Sequence, residues 1–117
     1  MNKVYCYSKC STCNKALKWL DNNKIEYELI DIKENHPDET TLRKLHKKSG
    51  LPLKRFFNTT GKIYKDMELS KRLPEMSEDD QFKLLASDGM IVKRPLLITD
   101  KNVLTGFKES EWENALL

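Results

Sequence analysis

Apolar residues fall in short clusters whose spacing changes along the chain. In residues 3–7 the pairs Val4/Cys6 and Tyr5/Tyr7 put apolar side chains on both faces, which predicts a central strand. Cys13, Ala16, Leu17 and Leu20 follow at i, i+3, i+4 and i+7, which predicts one buried helical stripe within residues 12–22. The polar Asp21-Asn22-Asn23 ends that helix. Ile25-Glu26-Tyr27-Glu28-Leu29 alternates with period two and predicts a second strand. A strand, helix and strand of this length predict a right-handed βαβ unit.

Residues 33–90 change character. Pro37 at a first helical turn, the acidic Asp38-Glu39, then Leu42 and Leu45, predict a helix stopped by Gly50. Residues 51–57 suggest a short helical turn, Asn58-Thr59-Thr60-Gly61 a loop, and residues 66–72 another short helix. Ser77-x-x-Asp80 resembles a capping box opening a helix that carries Phe82 and Leu85 and ends at Asp88-Gly89. Strand character returns at Leu96-Leu97-Ile98-Thr99, turns at Asp100-Lys101, and resumes at Asn102-Val103-Leu104-Thr105. After Gly106, Ser110-x-x-Glu113 predicts a capped last helix with Trp112 and Leu116 inward.

The predicted order is β-α-β, a helical block, then β-β-α. It matches an α/β fold of thioredoxin-like type: a mixed sheet with flanking helices and an inserted helical subdomain. No Pro/Gly/Ser-rich linker brackets the block. The expectation is therefore one domain over residues 1–117, with an insert at about 33–90. A length of 117 residues suffices for one compact domain.

Charge narrows the function classes. Charged residues make up 33% of the chain, and 21 basic and 18 acidic residues are interspersed for a net charge of +3. There is no basic stripe for nucleic acid and no apolar run long enough to span a membrane. The N-terminus carries no signal-peptide pattern. Three cysteines make a poor disulfide scaffold. A reducing cytoplasm is the expected location, with any disulfide transient.

The candidate chemistry lies at Cys10-Ser11-Thr12-Cys13, between the first strand and the first helix. A Cys-x-x-Cys in that setting is a redox-site arrangement. The first amides of a helix lack intrahelical partners and its N-terminus carries partial positive charge. A thiolate placed there is expected to be stabilised. Cys13 heads the buried stripe and Cys10 precedes it. Cys10 is therefore assigned as the attacking thiolate and Cys13 as the sheltered resolving thiol. Lys9 adds positive charge beside Cys10. Arg94 is the most pointed basic residue, since a guanidinium near Cys10 would hold a thiolate or grip an oxyanion with two donors. Ser11 and Thr12, between the cysteines, are candidate anion-binding residues.

Other candidates attract simpler assignments. Cys6 completes Cys-x3-Cys-x2-Cys, but it falls inside the first strand and is expected to be a buried core thiol rather than an iron–sulfur ligand. His36 and His46 lack zinc-ligand spacing and are expected on the surface; no metal site is expected. Lys108, taken alone, is expected to be solvated.

Four stretches together make the chain resemble the arsenate reductase/Spx family: YCYSKCSTCNKALKWL, FFNTTGKIYKDMEL, LLASDGMIVKRPLLI and LTGFKESEW. The resemblance implies a thioredoxin-like core with a helical insert, and a cis proline at Pro95 facing the Cys-x-x-Cys. In that family's reductases a cysteine attacks arsenate and three arginines hold the anion. Cys10 stands at the cysteine position and Arg94 at one arginine position. Asn58 and Lys108 stand at the other two, and Cys13 replaces a serine. Spx-like regulators keep the Cys-x-x-Cys as a redox switch and bind RNA polymerase; their stabilising arginine in the insert is Thr60 here. The implied function is a thiol–disulfide oxidoreductase of arsenate-reductase type. The alternative is a redox-sensing transcription regulator on the polymerase α subunit. The substrate would be a small oxyanion or disulfide. No cofactor is implied beyond reducing equivalents from thioredoxin, glutaredoxin or glutathione.

Overall fold

The computed structural model describes residues 2–117. Strand β1 (Lys3–Cys6) leads through a tight turn into helix α1 (Ser11–Asn22), and the chain returns as β2 (Glu28–Asp31). Next come helices α2 (Glu39–Ser49), α3 (Lys62–Asp66), α4 (Leu69–Arg72) and α5 (Glu78–Ser87), with short 3₁₀ turns at Leu53–Phe56, Leu73–Glu75 and Gly89–Ile91. Strands β3 (Leu96–Ile98) and β4 (Val103–Thr105) and helix α6 (Glu109–Leu116) finish the fold. The sheet order is β2-β1-β3-β4, with β1 parallel to β2 and antiparallel to β3.

The two-sided apolar pattern of β1 has its expected consequence. Val4 and Cys6 face a cluster with Cys13, Ala16, Leu20, Leu97 and Trp112, under α1 and α6. Tyr5 and Tyr7 face the other cluster, built around Phe56, Phe57, Phe82 and Leu96 from the inserted helices and β3. The sheet is thus covered on both faces by helical segments, which is why its central strands lack an alternating polar side.

The second strand sits later than its alternation suggests. Ile25 donates its amide to the Leu20 carbonyl, and Lys24 takes a left-handed conformation at φ 56°, so residues 25–27 complete the packing of α1. Pairing starts where Glu28 meets Lys3. Helix α6 also starts before its expected cap: Lys108 is the N-cap and no side chain caps the helix. Trp19 Nε1 donates to Glu109 in the first turn (3.0 Å), so an acidic residue occupies the positive helix end. In the insert, Lys62–Asp66 forms a helix just after the expected loop, and the short helix expected over residues 66–72 narrows to Leu69–Arg72. The cap of α5 falls as predicted, with Ser77 accepting from Asp80 N–H, whereas α2 starts after Pro37 rather than at it, with Asp38 as its N-cap accepting from Thr41 N–H.

Candidate thiol site

Cys10 is the N-cap of α1, with extended backbone (φ −94°, ψ 118°), and its carbonyl accepts the first helical bond from Asn14 N–H (3.0 Å). The turn into the helix is closed by Cys10 N–H donating to the Tyr7 carbonyl (3.0 Å). Cys10 is half-buried and Cys13, one turn in, is fully buried; all three cysteines are free thiols. The structure thus separates a reachable sulfur from a covered one, as the helical stripe predicts.

Cys10 opens on a recess of about 450 Å³, lined on this side by Lys9, Ser11 and Thr12. Asn58, Thr60 and Gly61 border it from the insert, Lys93 and Arg94 from the approach to β3, and Gly106 and Phe107 from beyond β4. Three basic side chains line the recess and no carboxylate does. Such a wall favours an anionic guest.

Asn58 arrives from far along the chain through a backbone clamp. Phe57 bridges Val92, Asn58 N–H donates to the Ile91 carbonyl (2.7 Å), and Lys93 N–H to the Phe56 carbonyl (2.8 Å). Asn58 also accepts from the Thr60 hydroxyl (3.3 Å). Its amide lies where a side chain at Gly61 would stand: a Cβ there would be 2.5 Å from Nδ2.

Arg94 is held by the segment before it. The Asp88 carboxylate accepts from Met90 N–H (2.8 Å) and caps the Gly89–Ile91 turn. Met90 and Val92 then present carbonyls to Arg94 Nη1 at 3.2 and 3.4 Å. Gly89 is required because any Cβ would strike the backbone carbonyl of Ile32. The guanidinium carbon lies 5.4 Å from the Tyr7 ring centroid, over its face, an attractive placement. Arg94 Nε is buried and has no hydrogen-bond partner among the described residues, an unusual state for a buried donor. The Arg94–Pro95 peptide bond is cis.

Lys108 stands exposed at the start of α6, as expected of it taken alone, beyond the turn at Gly106 (φ 75°), and it is not among the residues lining the recess. Lys93, which adjoins Arg94, lines the recess together with Lys9. One expectation is corrected. His46, expected on the surface, is half-buried between the rings of Phe56 (5.8 Å) and Phe82 (5.5 Å).

Cys6 is a buried core thiol as expected, and it stands beside Cys13. The two buried thiols interact, and the Cys6 pKa is pushed up by that interaction and by burial. The same interaction holds Cys13 down to about 6 against the opposing effect of burial, with further help from the Tyr7 backbone, Cys10 and the positive charge of Arg94. Period-two geometry carried the missed signal, since Val4 and Cys6 face the α1 side and so does Cys13.

A family model described as the ArsC family matches residues 5–115. The chain belongs to the ArsC family. Bacillus subtilis (strain 168) protein YusI is 50% identical over 109 residues, covering 93% of this chain and 92% of YusI. Among solved structures, a Bacteroides fragilis protein described as related to the ArsC family superposes with TM-score 0.94 at 48% identity, covering 97% of this chain and 95% of its own. A Streptococcus mutans UA159 protein described as a possible arsenate reductase superposes with TM-score 0.87 at 40% identity, covering 97% and 98%. Global transcriptional regulator Spx 2 of Bacillus anthracis is 24% identical over 108 residues, 92% of this chain and 81% of the regulator. This ArsC-family chain therefore has both a thiol-oxidoreductase fold and regulators among its relatives. No helix among the described residues is long and apolar enough to cross a membrane.

Proposed function

We propose that this ArsC-family chain is a thiol–disulfide oxidoreductase that reduces a small oxyanion or disulfide at Cys10. One observation carries the assignment: the reachable Cys10 sulfur shares an anion-favouring recess with Arg94, and a buried Cys13 stands one turn behind it. With a disulfide substrate, Cys10 thiolate attacks one sulfur, the substrate S–S bond breaks, and half the substrate leaves as a thiolate. Cys13 thiolate then attacks the Cys10 sulfur. The mixed disulfide breaks, the other half leaves, and a Cys10–Cys13 disulfide remains. The substrate gains the two electrons that the cysteine pair loses. With an oxyanion such as arsenate, Cys10 displaces one oxygen as water, and attack by Cys13 on Cys10 leaves an electron pair on the reduced central atom. Two thiols of thioredoxin, glutaredoxin or glutathione class reset the pair.

Arg94, Ser11, Thr12 and Asn58 orient the anion, and Arg94 supplies the charged fork of donors. Asn58 has no charge where the family's reductases have arginine, and Lys108 stands away from the recess. Both departures favour disulfides and weakly held oxyanions over arsenate. Pro95 follows Arg94 through the cis peptide bond. Turnover of arsenate and of small disulfides, compared among wild type, Cys10→Ser and Cys13→Ser, tests the assignment. Loss of turnover in Cys10→Ser supports it; activity that survives that substitution overturns it.

A regulator reading has its own support in the Spx relatives, whose likeness spans 92% of this chain. In it the Cys10–Cys13 disulfide is a switch, and the α subunit of RNA polymerase is the partner. Capture of polymerase by the reduced or the oxidised chain supports this reading. No capture in either state removes it.

A further inference from the structure

The redox cycle proposed above uses two of three neighbouring thiols. Cys6, Cys10 and Cys13 belong to one apolar cluster between β1 and α1, with Cys13 flanked by both of the others. Cys6 and Cys10 open in different directions. Cys10 lines the recess shared with Arg94. Cys6 borders a separate cavity of about 190 Å³, lined also by Tyr7, Ser8, Asn14, Leu17, Leu29 and Asp31. The two recesses share no residue. Cys6 is 4% exposed while Cys13 is 0% exposed, so Cys6 is the inner thiol that reaches a surface opening. Leu29, on the edge strand, is 54% exposed at that opening.

We propose that Cys6 is a third redox thiol, which takes Cys13 from Cys10 and presents the new disulfide at the second recess. This rests on the Cys10–Cys13 chemistry proposed above. The step is a thiol–disulfide exchange within one chain. The Cys6 sulfur attacks the Cys13 sulfur of the Cys10–Cys13 disulfide, a Cys6–Cys13 bond forms, and the Cys10–Cys13 bond breaks. Cys10 leaves as a thiolate and takes up the proton that Cys6 releases. No electrons enter or leave, so no outside reagent is required. The outcome is useful chemically: the attacking thiol is restored beside the anion recess, while the oxidised pair waits where a small thiol can approach from the other side.

The sequence makes the two disulfides separable. Trypsin cuts after Lys3, Lys9 and Lys15, placing Cys6 in peptide 4–9 and both Cys10 and Cys13 in peptide 10–15. A Cys10–Cys13 bond loops one peptide; a Cys6–Cys13 bond joins two. The folded protein is oxidised with diamide, free thiols are blocked with N-ethylmaleimide as the chain unfolds in mildly acidic denaturant, and monomer isolated from a non-reducing gel is digested and weighed. The wild type is expected to give both the looped 10–15 peptide and the 4–9/10–15 pair. Cys10→Ser is expected to give the joined pair as its main oxidised product, and Cys6→Val only the looped peptide. A looped wild-type peptide with no joined pair in Cys10→Ser monomer overturns the Cys6 proposal alone. If the wild type forms neither product, the two-cysteine cycle falls with it. Joined peptides found solely in covalent dimers also overturn the relay.

Discussion

Cys6 and Cys13 lie in one buried cluster between β1 and α1, and their interaction pushes the Cys6 thiol up while it holds Cys13 low. A pH dependence follows. Cys13 sits at about 6 in the folded chain against an ordinary 9.0. A depressed group contributes stability above its unfolded pKa and loses it as pH falls through the folded one. Cys6 is raised, so its contribution is present below the ordinary value of 9.0 and lost as pH climbs past it. Stability from the pair should therefore rise from pH 6 to about pH 9 and fall beyond it. Urea midpoints across that range, wild type minus Cys13→Ser, measure the first limb. In Cys10→Ser, ultraviolet thiolate absorbance should appear near pH 6, and adding Cys6→Ala should move it upward.

Arg94 contributes charge and directed donors. Arg94→Gln keeps a polar side chain but removes the cation and leaves the Met90 carbonyl short of its charged partner. One charge-assisted hydrogen bond carries about 1.5–3 kcal/mol, so turnover of an anionic substrate should fall roughly ten-fold or more. The Cys13 titration should also shift upward, because the Arg94 charge helps to hold it low. Steady-state kinetics with an anionic and a neutral disulfide separate the effects: the loss should be larger for the anion.

Gly61→Ala tests the floor of the recess. The new methyl would meet the Asn58 side-chain amide, which can swing away, rather than rigid backbone. Melting should change by no more than about 1 kcal/mol, within the ordinary range for point substitutions. The anion-dependent part of turnover should weaken by a larger factor, as it should in Asn58→Ala. Equal losses of stability and activity would show instead that Asn58 only supports the fold.

Trp112 holds the far wall. Its buried Nε1 donates to the Gly106 carbonyl (3.1 Å), and its ring meets Phe107 edge-on at 5.0 Å. Trp112→Phe keeps most of the packing but strands a buried carbonyl. The expected cost is about 1–3 kcal/mol in urea unfolding, with looser placement of Gly106 and Phe107 beside Cys10.

Residues close in sequence declared most of this protein. The i, i+3, i+4, i+7 stripe put Cys13 inside and left Cys10 at the helix mouth. The cap at Ser77 was legible because its side chain bonds an amide three residues on. The two-sided apolar strand named the centre of the sheet. Tertiary structure decided what separate segments do to one another. Parallel pairing with β1 placed the second strand at Glu28 rather than Ile25, since register is a contract between two strands. The Phe57–Val92 bridge carried Asn58 to Arg94, and the turn at Gly106 sent Lys108 away while Lys93 took a place at the recess. The same packing set Cys6 against Cys13. A sulfur's acidity depends on which groups donate to it through space, and local spacing does not record those neighbours.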